Sequence, residues 1–175
     1  MNKPLTILLK EKEIQERVRF LATQISNDYK NCELILIGVL TGAYMFMADM
    51  SRGITISVNI DFLGVTSYGT NHKSSGIVRI IADINLEITG KDVLLVEDIC
   101  DTGLTLNYLK KNLELRKPNS LRICTLLDKP SQRQIDIKTD YTGFIIPDQF
   151  VVGYGMDYAE QYRNLPYIAI LDSSS

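Results

Sequence analysis

The stretch Val93-Leu94-Leu95-Val96-Glu97-Asp98-Ile99-Cys100-Asp101-Thr102-Gly103-Leu104-Thr105-Leu106 constrains this chain more than any other. Four apolar residues run straight into two adjacent carboxylates. A third acid, Thr, Gly and Thr follow, and a helical pattern then begins. The physical reading is a buried strand that ends at Glu97-Asp98, a tight turn, and a helix that opens right after it. Such a turn aims backbone N–H groups and the Thr102 and Thr105 hydroxyls at one point, which suits a phosphate. Gly103 permits close backbone approach. The neighbouring carboxylates suit a sugar diol or a Mg²⁺ ion. A phosphorylated sugar satisfies both halves. Taken alone, residues 101–105 also read as an ordinary N-capped helix, since Asp and Thr are good caps; the acid pair beside them tips the balance to a site.

The rest of the chain alternates in the same manner. Ile14, Val18, Leu21, Ala22 and Ile25 recur three and four apart, predicting an amphipathic helix over 10–29. Residues 34–40 form a continuous apolar run ending at Thr41-Gly42, a buried strand, and a helix is expected over 43–51. Strands are expected at 54–65, 77–82, 92–96 and 121–127, with short ones at 143–146 and 167–171. A helix is expected over 104–115, stopped before Pro118, and a turn or short helix near 159–164. Residues 66–76 are polar and rich in Gly and Ser, so a mobile loop is expected there. Apolar strands alternating with amphipathic helices imply an α/β fold, its mostly parallel sheet flanked by helices. Ligands in such folds sit beyond the strand carboxyl ends. Thr41, Asp98, Asp101, Asp128 and Lys129 should therefore meet on one edge.

Size and composition exclude several classes. With 175 residues, one domain is the simplest organisation. A formal net charge of −2 argues against a general nucleic-acid binder. No apolar run approaches the roughly 20 residues that cross a bilayer, and residues 1–12 lack a signal-peptide pattern, so no membrane partner is expected. Three cysteines, Cys32, Cys100 and Cys124, are too scattered for a disulfide framework or a zinc site. The expected compartment is a reducing cytoplasm. Cys100 lies inside the central motif, yet no His is near it in sequence, and His72 falls in the polar loop; Cys100 reads as a small turn-filling residue.

The 93–106 segment closely resembles the phosphoribosyl pyrophosphate signature of type I phosphoribosyltransferases, in particular the hypoxanthine-guanine family of purine phosphoribosyltransferases. Further blocks carry the resemblance in the same order: Gly38-Val39-Leu40-Thr41-Gly42-Ala43-Tyr44, Ser67-Tyr68, Leu127-Asp128-Lys129-Pro130, and Ile146-Pro147-Asp148-Gln149-Phe150-Val151-Val152-Gly153-Tyr154-Gly155-Met156-Asp157-Tyr158. Together they span about residues 34–171.

The resemblance implies a core of about 13–140 and a small hood from the chain ends, about 1–12 and 141–172. It implies transfer of 5-phosphoribosyl from phosphoribosyl pyrophosphate to N9 of hypoxanthine, and of guanine, with release of pyrophosphate and with Mg²⁺ as cofactor. Asp101, Thr102, Gly103, Leu104 and Thr105 would hold the 5′-phosphate, Leu104 by its backbone where relatives often carry Lys or Arg. Glu97 and Asp98 would hold the ribose hydroxyls and Mg²⁺, with Asp157 at a second Mg²⁺. Asp101 would also take a proton from N7 of the base. Thr41-Gly42 would bind pyrophosphate by backbone N–H, where relatives often have Lys-Gly and a cis peptide bond; Arg163 would bind pyrophosphate too. Lys129 would donate to O6 of a 6-oxopurine, Phe150 would stack on the base, and Val151 would offer backbone groups to its edge. Ser67-Tyr68 would sit on a lid that excludes water. A homodimer or homotetramer is expected. The alternative in another class is a phosphoribosyltransferase-like nucleotide-binding regulator acting on RNA or DNA, which would call for a basic face.

Overall fold

The computed structural model describes residues 4–68 and 77–171. Strand β1 (Leu5–Leu9) leads into helix α1 (Glu11–Asp28), whose first turn is closed by the Lys10 N–H donating to Glu13 Oε2 at 2.9 Å. Then follow β2 (Leu34–Leu40), α2 (Tyr44–Gly53), β3 (Val58–Tyr68), β4 (Ile77–Ala82), β5 (Asp92–Cys100) and α3 (Leu104–Glu114). The chain continues through β6 (Ser120–Asp128), a 3₁₀ turn (Pro130–Gln132), β7 (Tyr141–Ile145), β8 (Val151–Val152) and β9 (Ile168–Leu171).

Six strands make the main sheet in the order β4-β3-β2-β5-β6-β7. Strands β3, β2, β5, β6 and β7 run parallel, and β4 closes one edge antiparallel to β3. Helices cover both faces. Side chains alternate along a strand, so Leu34, Leu36, Leu94 and Val96 pack with α1 and α2. Ile35, Ile37, Val93 and Leu95 pack with Leu106, Leu109 and Leu113 of α3. The same period decides the fate of the acid pair: Glu97 continues the face that carries α3, Asp98 the opposite face. A second, three-stranded antiparallel sheet, β1-β9-β8, joins the two ends of the described chain.

Several boundaries differ from the sequence reading. Strand β5 does not end at the acids; it runs on through Cys100, because β6 supplies ladder partners, Thr125 opposite Glu97, Leu127 opposite Ile99 and Asp128 opposite Cys100. Strand β3 starts at Val58, four residues after the expected Ile54, and reaches Tyr68, where pairing of Ser67 with Val78 and Tyr68 with Ile77 holds its end. The first residues of the expected loop 66–76 are thus strand; residues 69–76, His72 among them, lie outside the described residues. Residues 141–145, which the resemblance placed with the hood, form the edge strand beside β6. Residues 159–164 form turns with positive φ at Ala159, Glu160 and Tyr162, and no helix.

Candidate active site

The carboxyl ends of β2, β3, β5 and β6 point to one edge, and two adjoining cavities open there. The first, about 220 Å³, is lined by Val65, Glu97, Ile99, Cys100, Asp101, Thr102, Gly103, Thr105 and Leu106. Its floor is the start of α3, where the first N–H groups have no partner one turn back. Gly103 caps the helix at φ +83°, a left-handed conformation that glycine adopts without strain. Among the described residues the Leu104 N–H is met only by Thr102 Oγ1, at 3.4 Å. The macrodipole adds partial positive charge at this end. The arrangement suits an anion.

The second cavity, also about 220 Å³, is lined by Asp98, Ile99, Asp101, Lys129, Phe150, Val151, Met156 and Asp157. Asp101 and Ile99 belong to both cavities, so a ligand that fills the two must cross Asp101. One Asp101 carboxylate oxygen, Oδ1, is buried with no hydrogen-bond partner among the described residues. Lys129 is only 6% exposed, and its ammonium has no hydrogen-bond or ion-pair partner among the described residues. Its own N–H donates to Cys100 O at 2.9 Å, which sets the start of the Lys129 turn against the end of β5. Phe150 leaves 46% of its surface exposed and meets Tyr158 edge to face at 5.8 Å between ring centres. Its open face is available for stacking.

Between the cavities sit Glu97 and Asp98, each 8% exposed. Burial, and then the charge of Asp98, holds the Glu97 carboxyl well above the usual carboxylate range. Burial raises Asp98 as well. Glu97 Oε2 is buried with no hydrogen-bond partner among the described residues, whereas Asp98 Oδ1 accepts from the Ile99 N–H at 2.9 Å.

Thr41-Gly42 follows β2 and abuts Asp98. A cis peptide bond is present here, at Leu40-Thr41 and not at Thr41-Gly42. Gly42 has no room for a side chain: a Cβ would lie 1.9 Å from Asp98 Oδ2. Behind it stands Gly155, at φ +104°, whose own Cβ would lie 2.1 Å from Gly42 O. Arg163 braces this hood segment by donating to Gly155 O at 2.8 Å and pairing with Asp157 Oδ1 at 2.9 Å. Arg163 and Asp157 are therefore engaged with each other. Among the described residues no three metal-type side chains gather at one point, so Asp157 does not join Glu97 and Asp98 in a single cluster.

Of the residues singled out in the sequence, Leu104 lines neither cavity by side chain, and only the backbones of Ser67 and Tyr68 are described, at the end of β3. Cys100 is buried, and burial pushes its thiol up to about 11, which fits a space-filling residue and not a nucleophile. The sequence reading missed Arg133 and Gly155. The guanidinium of Arg133 donates to Asp101 O at 2.8 Å, to Asp128 Oδ1 and to Cys100 Sγ. Nothing in the sequence around Arg133 marks it; the Gly153-Tyr154-Gly155 spacing is a turn signal that could have marked Gly155.

The comparisons with known proteins agree with this geometry. Residues 5–159 match the phosphoribosyl transferase domain family, and the chain belongs to that family. It is 50% identical over 165 residues to the hypoxanthine-guanine phosphoribosyltransferase of Bacillus subtilis, covering 94% of this chain and 92% of that protein. It is 46% identical over 170 residues to the hypoxanthine phosphoribosyltransferase of Escherichia coli, covering 96% of each. A crystal structure of a hypoxanthine-guanine phosphoribosyltransferase from Bacillus anthracis superposes with a TM-score of 0.92 at 47% identity, covering 98% of this chain and 100% of that one.

Proposed function

We propose that this chain transfers 5-phosphoribosyl from phosphoribosyl pyrophosphate to N9 of hypoxanthine and guanine, releasing IMP or GMP and pyrophosphate in purine salvage. The observation that carries the reading is the pair of cavities sharing Asp101. One has the donors of a phosphate cup; the other has a buried lysine, an open aromatic face and a free backbone edge.

Transfer at C1′ passes through an oxocarbenium-like state, so the protein's task is positioning and electrostatics. The N–H groups of residues 102–105, with the Thr102 and Thr105 hydroxyls, anchor the 5′-phosphate. Each charge-assisted hydrogen bond there is worth about 1.5–3 kcal/mol. Glu97 and Asp98 orient the ribose hydroxyls. The base lies on Phe150, its edge against the Val151 backbone, with Lys129 donating to O6. Asp101 then faces N7 and accepts its proton as N9 attacks. The N–H groups of the Thr41-Gly42 turn, with Arg163 beyond them, receive the pyrophosphate.

Mg²⁺ fits the residues present. Glu97 and Asp98 are hard oxygen donors, and Glu97 Oε2 is buried without a hydrogen-bond partner among the described residues. Mg²⁺ characteristically takes one or two carboxylates and fills its shell with water and substrate oxygens. When bound, it would neutralise charge building on the leaving pyrophosphate. Asp157 would hold a second ion only by loosening its pair with Arg163.

The test is turnover by the purified protein. IMP and pyrophosphate should form from hypoxanthine and phosphoribosyl pyrophosphate with Mg²⁺, and formation should stop in excess chelator. Full turnover in chelator would remove the role given to Mg²⁺; no turnover of any 6-oxopurine would remove the reading.

A further inference from the structure

The phosphate cup is held from behind by a segment that lines neither cavity. Two successive carbonyls of the cup are engaged there. Asp101 O accepts from the Arg133 guanidinium at 2.8 Å, and Thr102 O accepts from the backbone N–H groups of Gln134 at 2.9 Å and Ile135 at 3.2 Å. In a trans peptide the N–H points away from the C=O of the same plane. Engaging the Asp101 carbonyl therefore turns the Thr102 N–H away from Arg133, and engaging the Thr102 carbonyl does the same for the Gly103 N–H. Asp101, Thr102 and Gly103 line the first cavity, and Arg133, Gln134 and Ile135 do not. The two N–H groups are thus aimed from the rear.

Contact distances show how closely the segment backs the cup. A Cβ on Gly103 would lie 2.8 Å from Ile135 O and 3.2 Å from Arg133 Cδ. Arg133 is fixed in turn by Asp128, with both side chains mostly buried at 16% and 15% exposure, and Asp128 immediately precedes Lys129. One guanidinium so ties the backbone of the phosphate cup to the residue next to the base-site lysine.

We propose that Arg133 is a positioning residue for 5′-phosphate recognition: by holding the Asp101 carbonyl it orients the Thr102 N–H toward the phosphate. The inference rests on the assignment of residues 101–105 as the 5′-phosphate cup. Removing the guanidinium frees that peptide to rotate while deleting no group that faces the ligand. The loss should fall on ligands that fill the cup and spare those that do not.

The experiment compares two ligands by calorimetry, IMP and Mg²⁺-pyrophosphate, in the wild type and in Arg133→Gln. Loss of one charge-assisted bond predicts IMP binding weaker by about 10- to 100-fold, with pyrophosphate binding unchanged within about twofold. Arg133→Lys keeps a cation beside Asp128 but lacks the planar fork that bridges it to Asp101 O, so IMP affinity should fall between the two. Equal weakening of both ligands, or no weakening of IMP, overturns the proposal. If Arg133→Gln does not fold, Arg133→Lys carries the same comparison; failure of both to fold would make Arg133 a general folding support and overturn it too. Absence of IMP binding in the wild type would instead sink the functional reading beneath it.

Discussion

Gly42 and Asp98 touch so closely that a side chain at position 42 would have to displace the Asp98 carboxylate or the turn: a Cβ would lie 1.9 Å from Asp98 Oδ2. The turn after β2 and the acid pair of β5 are therefore one mechanical unit. Gly155 presses on the same turn from the hood side, its Cβ position 2.1 Å from Gly42 O. Any movement of the turn must be felt at Asp98.

Gly42→Ala should accordingly displace either the turn or the Asp98 carboxylate. Overpacking of this kind costs roughly 1–3 kcal/mol of stability. The larger effect should fall on kcat, since the displaced carboxylate is one proposed to orient ribose. Denaturant melts and steady-state kinetics on the same preparation check both; wild-type kcat with wild-type stability would mean the contact is relaxed in solution.

Asp101→Ala removes the carboxylate shared by the two cavities and keeps the N–H groups of the cup. A general base contributes about 10²–10⁴-fold, so kcat should fall by that order with little change in KM for phosphoribosyl pyrophosphate. An unchanged kcat with a large rise in that KM would show Asp101 to be a binding group only.

Glu97 gives a pH-dependent prediction. Burial holds its carboxyl well above the usual range in the folded state, whereas an unfolded Glu titrates near about 4.3. Below that pH the group is neutral in both states and costs nothing. As pH rises through it, the unfolded chain releases its proton first, and the folded state loses stability relative to it. Glu97→Gln abolishes this penalty. The variant should melt at a higher temperature than the wild type at pH 7, with the gap closing below about pH 4, while losing most transfer activity. A lower melting temperature at pH 7 would show the carboxylate to be stabilising as it stands.

Lys129 should set the choice of base. Hypoxanthine and guanine place an acceptor at position 6; adenine places an amino group there, leaving a buried ammonium facing a donor. Sites built on such a bond reject the mismatch by up to about 10⁴–10⁵-fold. Lys129→Gln, whose amide can also accept, should narrow the gap in kcat/KM between hypoxanthine and adenine. A ratio that does not move would shift specificity to the backbone around Val151.

Much of this was legible in the sequence, and the failures have physical causes. Helices α1 and α3 and strands β2 and β6 follow from apolar periodicity, because packing against the sheet is what selects those residues. The carboxylates of β5 were legible as a site but not as strand, since acids break a hydrophobic pattern; ladder pairing with Thr125, Leu127 and Asp128 carries the strand onward regardless. Arg133 was illegible because the partners that tie it to the site, Cys100 and Asp101, lie more than thirty residues earlier in the chain, and only Asp128 is near it in sequence. Residues 141–145, which the resemblance placed with the hood, pair with β6, and a short edge strand carries no mark in sequence of which sheet it joins.

The most direct test of the central claim is a crystal structure with IMP bound. The 5′-phosphate should sit on the N–H groups of residues 102–105, the base on Phe150, and O6 within hydrogen-bond distance of Lys129 Nζ, with Asp101 facing N7. A phosphate bound outside that cup, or a base placed away from Lys129, would contradict the account.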